Sequence, residues 1–109
     1  MPTAASFKAA AVNADWDGTP GFGVVLTNEP GEETWPLAGA TFILVHKQPR
    51  DANATREALK FFDWAYTKGD KMAEELDYVP MPDKVVSSIK RTWTSQIKDK
   101  DGKSVLALP

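Results

Sequence analysis

The chain carries one histidine, His46, and no cysteine. Any chemistry therefore rests on carboxylates, hydroxyls and basic groups. Without cysteine there is no disulfide, no thiolate nucleophile and no thiolate metal site. One imidazole with only carboxylates for company does not make a zinc site, because carboxylates suit harder cations. A catalytic His46 would need partners arranged around it. Its sequence neighbours supply none, so it reads as a strand-end residue that faces solvent or packs locally. Carboxylates are paired at Glu32/Glu33, Glu74/Glu75 and Asp99/Asp101. Adjacent residues on a helix do not face each other. Asp99-Lys100-Asp101-Gly102 has the opening residues of a calcium loop but not the later oxygen ligands, and reads as a solvated turn.

Ser87 and Ser88 fall in the middle of a helical pattern, with no histidine or nucleophile elbow around them. Gly18-Thr19-Pro20-Gly21-Phe22-Gly23 is glycine-rich but lacks both the Gly-Lys-Ser/Thr ending of a phosphate loop and the dinucleotide spacing. It reads as a plain loop. Phe61, Phe62, Trp64, Tyr66 and Trp93 are enough aromatic surface for a stacking platform, yet their spacing is helical and fits a core better. Thirteen basic and fifteen acidic residues leave a formal charge of −2. That balance argues against nucleic acid as a partner. No residue is assigned a catalytic, cofactor-binding or metal-binding role, no cofactor is expected, and the chain does not read as an enzyme.

The elements that would position these residues follow from pattern. At 109 residues, 42% hydrophobic and 26% charged, the chain fits one small globular domain. Thr3–Asn13 reads as a short amphipathic helix capped by Thr3. A second and clearest helix covers about Ala54–Lys68, with Leu59, Phe62 and Tyr66 on one face, Trp64 toward another side and Gly69 as its cap. A short helix is expected at Asp70–Leu76. A further helix spans about Asp83–Ile97, with the stripe Val85, Val86, Ile89, Trp93 and Ile97. Val105–Leu108 is an apolar end.

The one long apolar run lies between these helices. Thr41–His46 is rich in β-branched and aromatic residues, bounded by Gly39 before and Pro49 after. That is the pattern of a strand buried on both faces. Only one other segment, Val24–Thr27, offers itself as a partner strand. The expected fold is thus α+β: mainly helical, with a buried strand at Thr41–His46 and a second candidate at Val24–Thr27. A strand of this kind needs neighbours the chain hardly provides, so it belongs to something larger or pairs with a copy of itself. No run reaches the roughly 18 apolar residues of a membrane span. Met1-Pro2-Thr3-Ala4-Ala5-Ser6 has neither a basic nor an apolar leader region, so no signal peptide is expected in this chain.

Several stretches together resemble one family. Glu33-Thr34-Trp35-Pro36-Leu37 followed by Thr41-Phe42-Ile43-Leu44-Val45-His46-Lys47 resembles a signature near the end of phosphate ABC-transporter substrate-binding proteins. Leu59-Lys60-Phe61-Phe62-Asp63-Trp64-Ala65-Tyr66 with Gly69 is similar to the next helix of that family. Leu76-Asp77-Tyr78-Val79-Pro80-Met81-Pro82-Asp83, with Trp93 and Ile97, is similar to its C-terminal part, and Asn13-Ala14-Asp15-Trp16 fits the segment before. The resemblance implies a C-terminal segment of a type II periplasmic binding protein-like α/β fold, in which two lobes hold phosphate between them. It implies that residues 1–38 are the end of the second lobe and the crossing segment, and that residues 39–109 return to the first lobe. It implies a periplasmic parent whose partners are inorganic phosphate and an ABC permease. The family's phosphate ligands lie upstream, so none is carried onto this segment, Arg50, Arg56 and Arg91 included. The expected role is structural, with pairing to the missing N-terminal part. The alternative is a small self-associating module, a homo-oligomer without ligand-binding activity.

Overall fold

The computed structural model describes residues 1–107. Four helices carry the fold: α1 (Ala4–Asn13), α2 (Ala52–Lys68), α3 (Asp70–Glu75) and α4 (Asp83–Gln96), with a 3-10 turn at Pro20–Phe22. Each begins where local chemistry favours it. Thr3 and Ser6 form a reciprocal capping box at the start of α1, which satisfies otherwise orphaned N–H groups. Asp51 Oδ1 accepts from the Ala54 N–H at 3.0 Å and starts α2. Asp83 stands in the first turn of α4, at the positive end of its dipole.

The break between α2 and α3 depends on Gly69. Its N–H donates to the Ala65 carbonyl at 2.8 Å. A Cβ on Gly69 would lie 2.5 Å from that same carbonyl oxygen. Any other side chain must push the backbone apart there.

Two small cores form, and α4 serves both. The first gathers Ala11, Trp16, Val24, Leu26 and Val85. The second gathers Leu59, Trp93, Ile97, Val105 and Leu106. Ile89, half-buried on α4, packs against both. Leu59 is fully buried at 0% exposure, a burial that stabilises by roughly 2 kcal/mol. Two polar links brace the cores. The Trp16 indole N–H donates to the Ala11 carbonyl at 2.7 Å and satisfies one of the last carbonyls of α1. Lys90 Nζ lies 2.6 Å from Asp63 Oδ1 and joins α4 to α2, an ion pair in which that buried oxygen takes no directed hydrogen bond.

The chain closes with a small turn. Lys98 and Ser104 form an isolated antiparallel bridge around Asp99–Gly102. Val105 and Leu106 are then buried in the second core, and Arg56 Nε donates to the Val105 carbonyl at 2.7 Å. The apolar end is docked as far as Leu106 and Ala107 is exposed; Leu108, also read as part of it, lies outside the described residues.

The α+β expectation is overturned. Among the described residues there is no strand and no sheet. Val24–Thr27 shows the alternation of a strand, with Val24 and Leu26 buried and Val25 exposed, yet it pairs with nothing. Thr41–His46 is neither buried nor paired: Phe42 is 48%, Ile43 53% and Leu44 94% exposed. The physical reason is that a strand is made by its ladder. Propensity shapes a single segment, but the hydrogen bonds must come from a neighbour, and an isolated strand or lone pair is marginal in water. The fold is accordingly more open than its length requires. Its radius of gyration is 15.0 Å, against about 13 Å for a compact domain of this size.

Candidate functional site

An apolar groove of about 950 Å³ opens between the apolar run and the helices. The apolar run forms one wall. Trp16 and Met81 line the first core's side, Phe62, Tyr66 and Trp93 the second's, and Ile89 the floor between them. The groove exists because α4 supports two cores rather than one. Phe42 reaches back to Trp16, with ring centroids 6.5 Å apart. Tyr66 and Trp93 sit 6.0 Å apart on the other side. Burial raises the pKa of the Tyr66 hydroxyl above its usual value.

The backbone hydrogen bonds of the run that forms the wall lie at its ends, while Ala38, Ala40 and Phe42 pack against the first core. The Asn28 N–H donates to the Pro36 carbonyl at 2.8 Å, and the Lys98 N–H donates to the Lys47 carbonyl at 2.8 Å. Between Ala38 and His46 the chain makes no turn or bend.

The residues weighed for chemistry are scattered. His46 is exposed in the run itself. Glu32, Glu33, Glu74 and Glu75 are exposed. Asp99 organises its own turn: Oδ1 accepts from the N–H groups of Asp101 and Lys103, each at 2.9 Å. The Lys103 N–H, then that of Asp101 and the charges of Lys103 and Arg56, hold the Asp99 carboxyl below its usual pKa against a smaller desolvation effect. Among the described residues no three His, Cys, Asp or Glu side chains gather as a metal site would require. No helix there is long and apolar enough to cross a membrane.

The glycine-rich loop turns back on the first core. Gly21 takes φ 64°, and Phe22 packs 6.3 Å from Trp16. The aromatic set divides between core and surface. Phe62, Tyr66 and Trp93 pack in the second core, whereas Phe61 and Trp64 are exposed and stacked at 5.9 Å on the outer side of α2. Arg56 is spent on Val105 and on Asn53. Arg91 donates to Ser88 Oγ at 3.1 Å.

One polar cluster escaped the sequence reading. Ser88, 5% exposed, is the buried polar side chain of α4. Its hydroxyl donates to Asp17 Oδ1, and Arg91 lies 3.7 Å from the other Asp17 oxygen. The signal was available, since Ser88 falls three residues after Val85 on the inward face. The cluster pins the loop after α1 to α4.

No family model matches the chain. The "Phosphate-binding protein PstS" of Pasteurella multocida (strain Pm70) is 46% identical over 105 residues, covering 96% of this chain and 30% of that protein. The chain belongs to the PstS family. It matches a C-terminal part of these proteins. The PstS of Haemophilus influenzae (strain Rd) is 48% identical over 98 residues, and that of Xylella fastidiosa (strain 9a5c) 45% over 98 residues. The chain spans a little under a third of the length of these PstS relatives.

Proposed function

We propose that the chain is the C-terminal structural portion of a periplasmic inorganic-phosphate-binding protein that feeds an ABC transporter, and that it carries none of the phosphate ligands itself. It is a binding-protein segment, not an enzyme. The observation that carries the reading is the match to PstS proteins over 96% of the chain. In this reading residues 1–38 end the second lobe and cross between lobes, and residues 39–109 complete the first. The disposition of the basic groups supports the absence of ligands here. Arg56 and Arg91 are engaged by protein oxygens, and the N-terminus of α2 is occupied by the Asp51 carboxylate, where an anion would otherwise sit.

Two titrations test it. Isothermal titration of the chain with inorganic phosphate yields no micromolar binding; a micromolar isotherm overturns the claim that the ligands lie elsewhere. A chimaera in which this chain replaces the matching segment of the Pasteurella multocida protein binds phosphate. A folded chimaera that binds none overturns the structural role.

The exposed apolar run also favours a second reading, a self-associating module without ligand. Sedimentation separates the two, because a folded monomer at high concentration removes the second.

A further inference from the structure

The two cores meet at α4, where Ile89 packs against both. The buried members of the first core lie in residues 11–26, save for Val85 of α4, and those of the second in residues 59–106. The part that carries α1 and Trp16 is thus an arm resting on α4, and the apolar groove opens between that arm and the second core. A smaller cavity of about 340 Å³ lies on another face of α4, lined by Asp17, Lys84, Ser88 and Arg91. Trp16 and Val85 line both. Helical geometry gives the reason. At about 100° per residue, Trp93 falls about 80° to one side of Val85 and Ser88 about 60° to the other. The groove and the Ser88 cluster therefore flank one buried pair, Trp16 and Val85.

We propose that the Asp17–Ser88–Arg91 cluster is a latch that holds the groove open, with Trp16 and Val85 as the fulcrum between the two. Ser88 uses both halves of its hydroxyl there. It donates to Asp17 Oδ1 and accepts from Arg91 Nη2 at 3.1 Å. Asp17 belongs to the arm, and Ser88 and Arg91 to α4, so the cluster fixes the arm to the helix on the side away from the groove. A turn of the arm that narrows the groove carries Asp17 away from Ser88, and the latch opposes it. The fulcrum does not yield. Trp16 is 8% and Val85 2% exposed, and packed interiors shift between discrete arrangements rather than stretch. The pull toward closure comes from the groove itself. Phe42, Ile43, Leu44 and Tyr78 line it and are exposed, so narrowing removes apolar surface from water. The latch biases the arm without locking it, because Asp17 and Arg91 are 69% and 70% exposed and solvent screens their attraction.

The chain has no cysteine, so two introduced ones carry spin labels at chosen positions. Lys8→Cys on α1 and Asp70→Cys on α3 place the labels on residues that line the groove from the arm and from the second core's part. Double electron–electron resonance then reads the groove's width. Ser88→Ala and Asp17→Ala each shift the distances shorter, and the ratio of narrow to wide forms rises about three- to tenfold, the net worth of one hydrogen bond. Asp17→Asn retains an accepting oxygen and keeps the parent distribution. Far-UV circular dichroism accompanies each variant, and Ser88→Ala retains its helix content because alanine suits a helix interior. An unchanged distribution in both alanine variants overturns the proposal, as does a shift to longer distances. A shift in Asp17→Asn as large as in Asp17→Ala also overturns it, by moving the effect from the hydrogen bond to the charge. So does a loss of helix in Ser88→Ala, which would make the cluster a support of the fold and not of the groove's width. No phosphate enters these measurements, so their result is independent of the proposed function.

Discussion

Lys98 donates its backbone N–H to the carbonyl of Lys47 at 2.8 Å, and through that bond the end of α4 holds the end of the apolar run. Two residues later the chain turns, and the bridge from Lys98 to Ser104 directs Val105 and Leu106 into the second core. The run is thus tied to the best-packed part of the molecule at one end. At the other it is tied only to a loop, through Asn28 and Pro36. Between these ties Ala40 and Phe42 lean on the first core while Leu44 stands exposed.

Leu59→Ala tests how far the second core governs stability. The side chain is fully buried beside Trp93, Ile97 and Val105. Truncation loses its transfer free energy and leaves a cavity, at a cost of about 2–5 kcal/mol. Urea unfolding followed by far-UV circular dichroism reads the loss. A change within experimental error would show that this core does not limit stability.

Trp16→Phe keeps an aromatic ring in the first core but removes the indole N–H. The Ala11 carbonyl then loses a buried donor at the end of α1. The expected cost is about 1–3 kcal/mol, that of a buried unsatisfied acceptor. Denaturation of this variant beside Trp16→Ala separates the hydrogen bond from the packing: most of the Trp16→Ala loss should already appear in Trp16→Phe if the bond dominates.

The turn at Asp99 confers a pH dependence. Its folded pKa lies below the ordinary value of 3.8, chiefly through the Lys103 N–H. The folded state therefore favours the carboxylate, and the contribution is present above the unfolded pKa and lost as pH falls through the folded one. Asp99→Asn removes this titration. The gap in urea midpoint between the parent chain and Asp99→Asn should be constant from pH 7 to 5 and shrink below about pH 4. A gap independent of pH would remove Asp99 from the account.

The helices were legible because their causes are local. Thr3 and Gly69 marked ends, and the stripes of Leu59, Phe62 and Tyr66, and of Val85, Ile89 and Trp93, marked inward faces. The division of the aromatics was less legible. Helical spacing placed them all near a core, but Phe61 and Trp64 lie on the outer side of α2. The Ser88–Asp17 link joins residues 71 apart, and no local pattern announces such a partner.

What the sequence determined by itself was the set of helices, their caps, and membership in a family, since these depend on residues close together in the chain or on the order of whole segments. Its residue types at Thr41–Val45 also favoured a strand, an expectation and not an outcome. Only the tertiary structure decided that the segment is not one here. Side chains give a segment the preference for a sheet, but the hydrogen bonds that make the sheet belong to its neighbours. Among the described residues of this chain there are none, so the run stands pinned at its ends with both edges open.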